Sequence, residues 1–179
     1  QLLDSYEHSQ PPMKSVSRSI TLWDLVDDQQ AVKRVLYNLT REVIYKVRRM
    51  DMAGRHVSVG LYGSDHLGWY NHKTYQQYIQ HTPQMFEIVW DKLMRTWQQE
   101  FDPIKFRVSL GSLESIKQIN PSLLPSWQKQ EALETAVDEL DHRYGLFTVL
   151  SGLLWDKDNL ITPEVTGFLG DKDFQFNYR

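Results

Sequence analysis

Cysteine is absent from the chain, which excludes disulfide frameworks, thiolate zinc sites and cysteine nucleophiles and fits a reducing compartment. No apolar run approaches the ~20 residues that span a bilayer. The opening QLLDSYEHSQPP has neither the basic region nor the apolar core of a signal peptide. A soluble, cytoplasmic protein with no membrane partner is expected. The sequence also has no Gly-rich phosphate loop, and its serines lack a nucleophile-elbow context. His56, His66, His72 and His81 are close in sequence, but at no spacing that sets two zinc ligands on one helix face. They read as surface or hydrogen-bonded histidines. Asp24, Asp27 and Asp28 form the densest acidic group, in a turn entering a helix where capping and the positive dipole end account for acids. Neither a catalytic centre nor a metal site is expected within the chain.

What is present suits one domain with additions: 179 residues can bury a core without staples. The chain begins at Gln1 and passes Pro11-Pro12, so residues 1–13 are expected to be a linker from upstream domains. The net charge of −3 conceals an asymmetry. Lys14 to Gly111 carries 14 Lys/Arg against 10 Asp/Glu, and Ser112 to Arg179 carries 6 against 11. A basic body is followed by an acidic tail.

Periodicity supplies the elements. SVSRSITL from Ser15 alternates as a strand does. From Gln29 to Met50, Val32, Val35, Leu36, Leu39, Val43, Ile44 and Val47 recur at three and four, the stripe of a helix lying on a sheet. Arg55 to Gly63 puts Val57, Val59 and Leu61 on one face and His56, Ser58, Gly60 and Tyr62 on the other. Ser64 to Gln80, with Trp69, Tyr70, Tyr75 and Tyr78, reads in its second part as a strand of unfixed register. Thr82-Pro83 offers an N-cap and a first-turn proline for a second helix carrying Phe86, Val89, Trp90, Leu93, Met94 and Trp97. After Pro103, Ile104, Phe106, Val108 and Leu110 oppose Lys105, Arg107 and Ser109 in a last strand.

The order strand, helix, strand, strand, helix, strand over residues 14–111 predicts an α+β, ferredoxin-like βαββαβ domain, an antiparallel sheet with two helices on one face. The other face is then left for solvent or a partner. Ser17, Ser19, His56, Ser58, Tyr62, Lys105 and Arg107 are expected there, small donors and cations suited to phosphate oxygens.

SVSRS, an acidic turn, a basic helix, a GRHVSV strand and PIKFRVSLGSL, in this order and spacing, resemble the little finger of Y-family (UmuC/DinB-type) translesion DNA polymerases. ALETAVDELDHRYG followed by FTVLSGLL is similar to the stretch after that domain in bacterial members. The resemblance covers about residues 14 to 154; Tyr62 to Gln80 departs from the commoner pattern by lacking its small and basic residues. It implies a nucleoid-associated, DNA-binding little finger acting in damage bypass and repair, with primer-template DNA as partner. The contacts it implies are Ser17, Arg18, Ser19, Arg55, His56, Ser58, Lys105 and Arg107. The nucleotidyltransferase chemistry and its Mg2+ belong to a palm that this chain does not contain, so the chain itself needs no cofactor and is expected to be inactive.

The resemblance also implies a sliding-clamp peptide after the domain, where Asn120-Pro-Ser-Leu-Leu124 stands, with Ser122, Leu123 and Leu124 as its contacts. Asp173-Phe-Gln-Phe176 has aromatics but no recognisable spacing. Residues 112–179 are expected to form an extension with a linker, a helix marked by Leu133, Ala136, Val137, Leu140 and Tyr144 and capped by Gly145, and a strand. A competing class is a non-enzymatic RNA-binding or ligand-binding module of the same topology. In the first, central strands would expose aromatics, yet Tyr62 is the one ring expected on the second and fourth strands. In the second, Trp69, Tyr70 and Tyr75 would line a pocket.

Overall fold

The computed structural model describes residues 14–22, 29–64, 66–119, 125–145, 148–149 and 151–154. The apolar stripe of the first helix and the alternation of two strands make one core. Val32, Val35, Leu36, Leu39, Val43, Ile44 and Val47 of α1 (Gln29–Arg49) are all buried. They pack onto Val57, Val59 and Leu61 of β2 (Met52–Tyr62) and Phe106, Val108 and Leu110 of β4 (Lys105–Gly111), each 0 % exposed. Lys46, Arg48 and Arg49 occupy the last turn of α1, opposite in charge to its dipole end.

The sheet is completed by β1 (Ser15–Thr21), β3 (Gly68–Ile79) and the short β5 (Glu114–Ser115). The main order is β1-β4-β2-β3, every pair antiparallel, with β5 against Met52 and Ala53 at the start of β2. The helices lie on one face, as the βαββαβ pattern predicts. The pattern does not say which strands are central. Burial does, because β2 and β4 carry the unbroken apolar alternation that a central position rewards.

The helix from Thr82 is less regular than its stripe suggests. His81 is the N-cap, with Pro83 inside the first turn of α2 (Thr82–Glu87). The chain then widens into a π turn, Ile88–Leu93, and tightens into a 3-10 turn, Met94–Thr96. Ile88 and Val89 enter the core beside Met85, Leu93 and Met94. Phe86, Trp90 and Trp97 of the expected stripe are only partly buried against it.

The acidic tail meets the basic body. Helix α3 (Pro125–Tyr144) lies against α1, with Asp141 accepting from Arg41. Arg48 Nε donates to Asp138 at 2.7 Å, and an Arg48 Nη lies 3.5 Å from Glu134. Glu134 also accepts from the Thr82 backbone N–H at 2.9 Å and approaches His81 Nδ1 at 3.3 Å, so α3 supplies a carboxylate to the N-terminus of α2. Gly145 ends α3 at φ 99° with its N–H on the Asp141 carbonyl. Among the described residues that follow, Gly152–Leu154 form a 3-10 turn. The Thr148 N–H and hydroxyl both donate to the Gly145 carbonyl.

Burial pushes the Asp138 carboxyl above its ordinary value, and the Arg48 hydrogen bond and charge only partly oppose it. The folded pKa therefore exceeds the unfolded one, so this group's contribution to stability is present at low pH and is lost as pH rises through the folded value. Asp138→Asn keeps an acceptor for Arg48. It is expected to melt at or above the wild-type temperature at neutral pH, and to lack the wild type's relative gain on acidification toward pH ~4. A lower melting temperature for the variant at neutral pH would contradict this.

Candidate nucleic-acid interface

Strand register decides which side chains share the open face. Across β1, β4, β2 and β3 the pairings align four rows there: Ser15, Gly111, His56 and Thr74; Ser17, Ser109, Ser58 and His72; Ser19, Arg107, Gly60 and Tyr70; Thr21, Lys105, Tyr62 and Gly68. None of these sixteen positions is Asp or Glu. Small hydroxyls and glycines on β1 and β4 keep the surface low, and from it the exposed Lys105 and Arg107 project on one strand. Alternation separates them by roughly 7 Å of strand rise.

Several contacts fix the side chains. An Arg107 Nη lies 3.4 Å from Ser17 Oγ. Ser58 and Ser109 hydroxyls bond at 2.5 Å, and Ser58, on this face but buried, ties β2 to β4. His56 Nδ1 meets Thr74 Oγ1 at 2.8 Å. The Tyr62 ring lies over the strand backbone: a Cβ added at Gly60 would stand 3.1 Å from its hydroxyl, and one at Gly68 3.3 Å from its ring edge. Lys105 Nζ is 6.0 Å from the centre of that ring.

Of the residues expected to touch DNA, the structure brings Ser17, Ser19, His56, Ser58, Lys105 and Arg107 to this face. It does not bring Arg18 or Arg55 with them. Arg18 pairs in register with Val108 and lies on the helix side, where its guanidinium sits 3.5 Å from Glu42 of α1. Arg55 falls at the irregularity between β2 and β3, bonded to Glu114 at 3.1 Å and 5.0 Å from the Tyr78 ring centre. Period two forces the first result, since consecutive residues of β1 cannot share a face.

Sequence reading missed Tyr70, His72 and Thr74. The signal lay in an alternation with Trp69, Asn71, Lys73 and Tyr75. Of that other set, Trp69 and Tyr75 pack on the core, and Asn71 donates to the Leu93 carbonyl and Thr96 hydroxyl. Both sets mix rings with polar groups, so no apolar period marked the register. The clamp candidates Ser122, Leu123 and Leu124, the group Asp24, Asp27 and Asp28, and the segment at Asp173 all lie outside the described residues.

Residues 13–123 match the model of the impB/mucB/samB family C-terminal domain. The chain belongs to that family, and its βαββαβ sheet is the little-finger fold of Y-family DNA polymerases. A solved Y-family DNA polymerase chimera, Dbh-Dpo4(243-245)-Dbh, aligns at TM-score 0.51 and 18% identity over 59% of this chain and 30% of its own. A Dbh ternary complex aligns at TM-score 0.47 and 17% identity over 54% of this chain and 28% of its own. This chain thus spans less than a third of the polymerase chains it resembles in fold. No curated protein sequence matches it.

Proposed function

We propose that this domain grips the sugar-phosphate backbone of primer-template DNA through its open sheet face, as the DNA-holding part of a Y-family polymerase acting in translesion synthesis and DNA repair. The observation that carries the reading is a four-strand face without a carboxylate, bearing Lys105 and Arg107 among hydroxyls. A duplex presents a dense line of phosphates. Cations on such a face neutralise some of them and release counterions, which gives affinity without reading bases. Hydroxyls of Ser17 and Ser19 add neutral donors at the same level. Three acids of α3, Glu134, Asp138 and Asp141, are held on the opposite side, where they engage α1 and α2. Nucleotidyl transfer and the Mg2+ ions it uses are assigned to other parts of a longer polymerase. Among the described residues no three His, Asp or Glu side chains are grouped to hold a metal ion, and no step through Mg2+ is derived for them.

The test is fluorescence anisotropy of labelled primer-template DNA titrated with the domain over a salt series. Affinity is expected to fall steeply with salt, and Lys105→Glu/Arg107→Glu to weaken it by at least about tenfold while flattening the log-log salt slope by roughly 2. Undiminished binding by the double variant, or none by the wild type at low salt, would sink the reading.

A further inference from the structure

The open face is not uniform from edge to edge. Hydroxyls and cations occupy β1 and β4, and rings occupy the β2 and β3 side. Tyr70 is 55 % exposed. His72 lies beside it with ring centres 5.4 Å apart and planes 32° from each other. His56 follows at 5.1 Å and 39° from His72. The bond from His56 to Thr74 holds the far end of this row. Tyr70 shares its cross-strand row with Gly60 and Arg107, so the ring and the cation stand two strands apart, roughly 10 Å.

We infer that Tyr70, with His72 and His56 beside it, is a stacking site for an unpaired nucleobase, and that the domain therefore prefers a junction of duplex and single-stranded DNA over duplex alone. This rests on the DNA-grip reading above and adds the side chains that take the first unpaired base. Phosphates account for Lys105 and Arg107, but not for three rings, Tyr70, His72 and His56, in a row on the same face. A base within a duplex has both faces covered by its neighbours; only an unpaired base offers a face to a ring. A nucleotide whose phosphate is held at Arg107 has Tyr70 within a nucleotide's reach on β3, which is an edge strand among the described residues. Stacking on aromatics is tolerant of base identity, which agrees with a row of rings that presents few fixed donors.

The experiment compares the domain's affinity for a blunt duplex and for the same duplex with an unpaired 5′ extension. The first unpaired base is a fluorescent adenine analogue whose emission falls on stacking. The extension is expected to improve affinity by about tenfold and to quench the analogue. Tyr70→Leu should abolish both effects, and Tyr70→Phe should retain both. Equal affinity of the wild type for the two DNAs, or an extension preference that survives Tyr70→Leu, overturns the stacking site. Lys105→Glu/Arg107→Glu separates the two ideas: if it leaves blunt-duplex binding intact, the phosphate grip itself fails, whatever Tyr70 does.

Discussion

Phe106→Ala is expected to lower the free energy of unfolding by about 3–5 kcal/mol, the largest loss from a single truncation in the sheet. Phe106 is 0 % exposed on β4, paired in register with Ile20 on one side and Leu61 on the other. It lies in the core formed with α1. Neighbours on two strands cannot collapse into the space without breaking ladder hydrogen bonds, so a cavity term adds to the lost transfer term. A domain's net stability is about 5–15 kcal/mol, and the variant should show a much lower urea midpoint. Its flanking residues Lys105 and Arg107 point the other way. DNA binding should therefore fail in the variant only in proportion to the unfolded fraction and recover at temperatures where it is folded. The contrast is Lys105→Glu/Arg107→Glu, where binding should fall while stability stays within about 0.5 kcal/mol of wild type per exposed site. A Phe106→Ala protein that unfolds within 1 kcal/mol of wild type, as a rough threshold from core truncations, would contradict the packing described.

That contrast also shows what was legible in the sequence. Where one face of an element is wholly apolar, the period fixes the element and its facing together, and α1, β2 and β4 were readable to within a few residues for that reason. Lys105 and Arg107 inherited their placement from Phe106 and Val108. Arg18 could have been placed by the same rule, since Ser17 and Ser19 flank it; a motif carried over as a run of neighbours ignores the pleat. β3 was obscure because an edge strand needs no continuous apolar face, and its rings fall on both sides. Strand order is a long-range property that local pattern does not encode. The opposed charges of body and tail were visible as a count. Their meaning required the contact between α1 and α3.

Arg41→Ala is expected to release α3 from α1 and leave the sheet domain folded. Asp141 has a side chain only 1 % exposed, and Arg41 stands against it at 12 %. Removing the cation strands a buried carboxylate, which ordinarily costs about 3–5 kcal/mol. The protein can avoid much of that cost by letting Asp141 return to water, because α3 keeps Leu133, Leu140 and Tyr144 exposed and relies heavily on Asp141 and Glu134 for its hold. Detachment is then cheaper than burial, and the loss is capped at the free energy of docking. Hydrogen exchange reads the difference directly. Amides of α3 should lose protection, as should the Thr82 N–H that Glu134 accepts, while those of β2, β4 and the middle of α1 keep theirs. Arg41→Lys should fall between, retaining charge without the planar fork. Unchanged protection in α3 would mean that the pair contributes little to docking. Protection lost across the sheet as well would mean that α3 and the βαββαβ domain unfold as one unit, and the basic and acidic parts of the chain would then be a single cooperative structure.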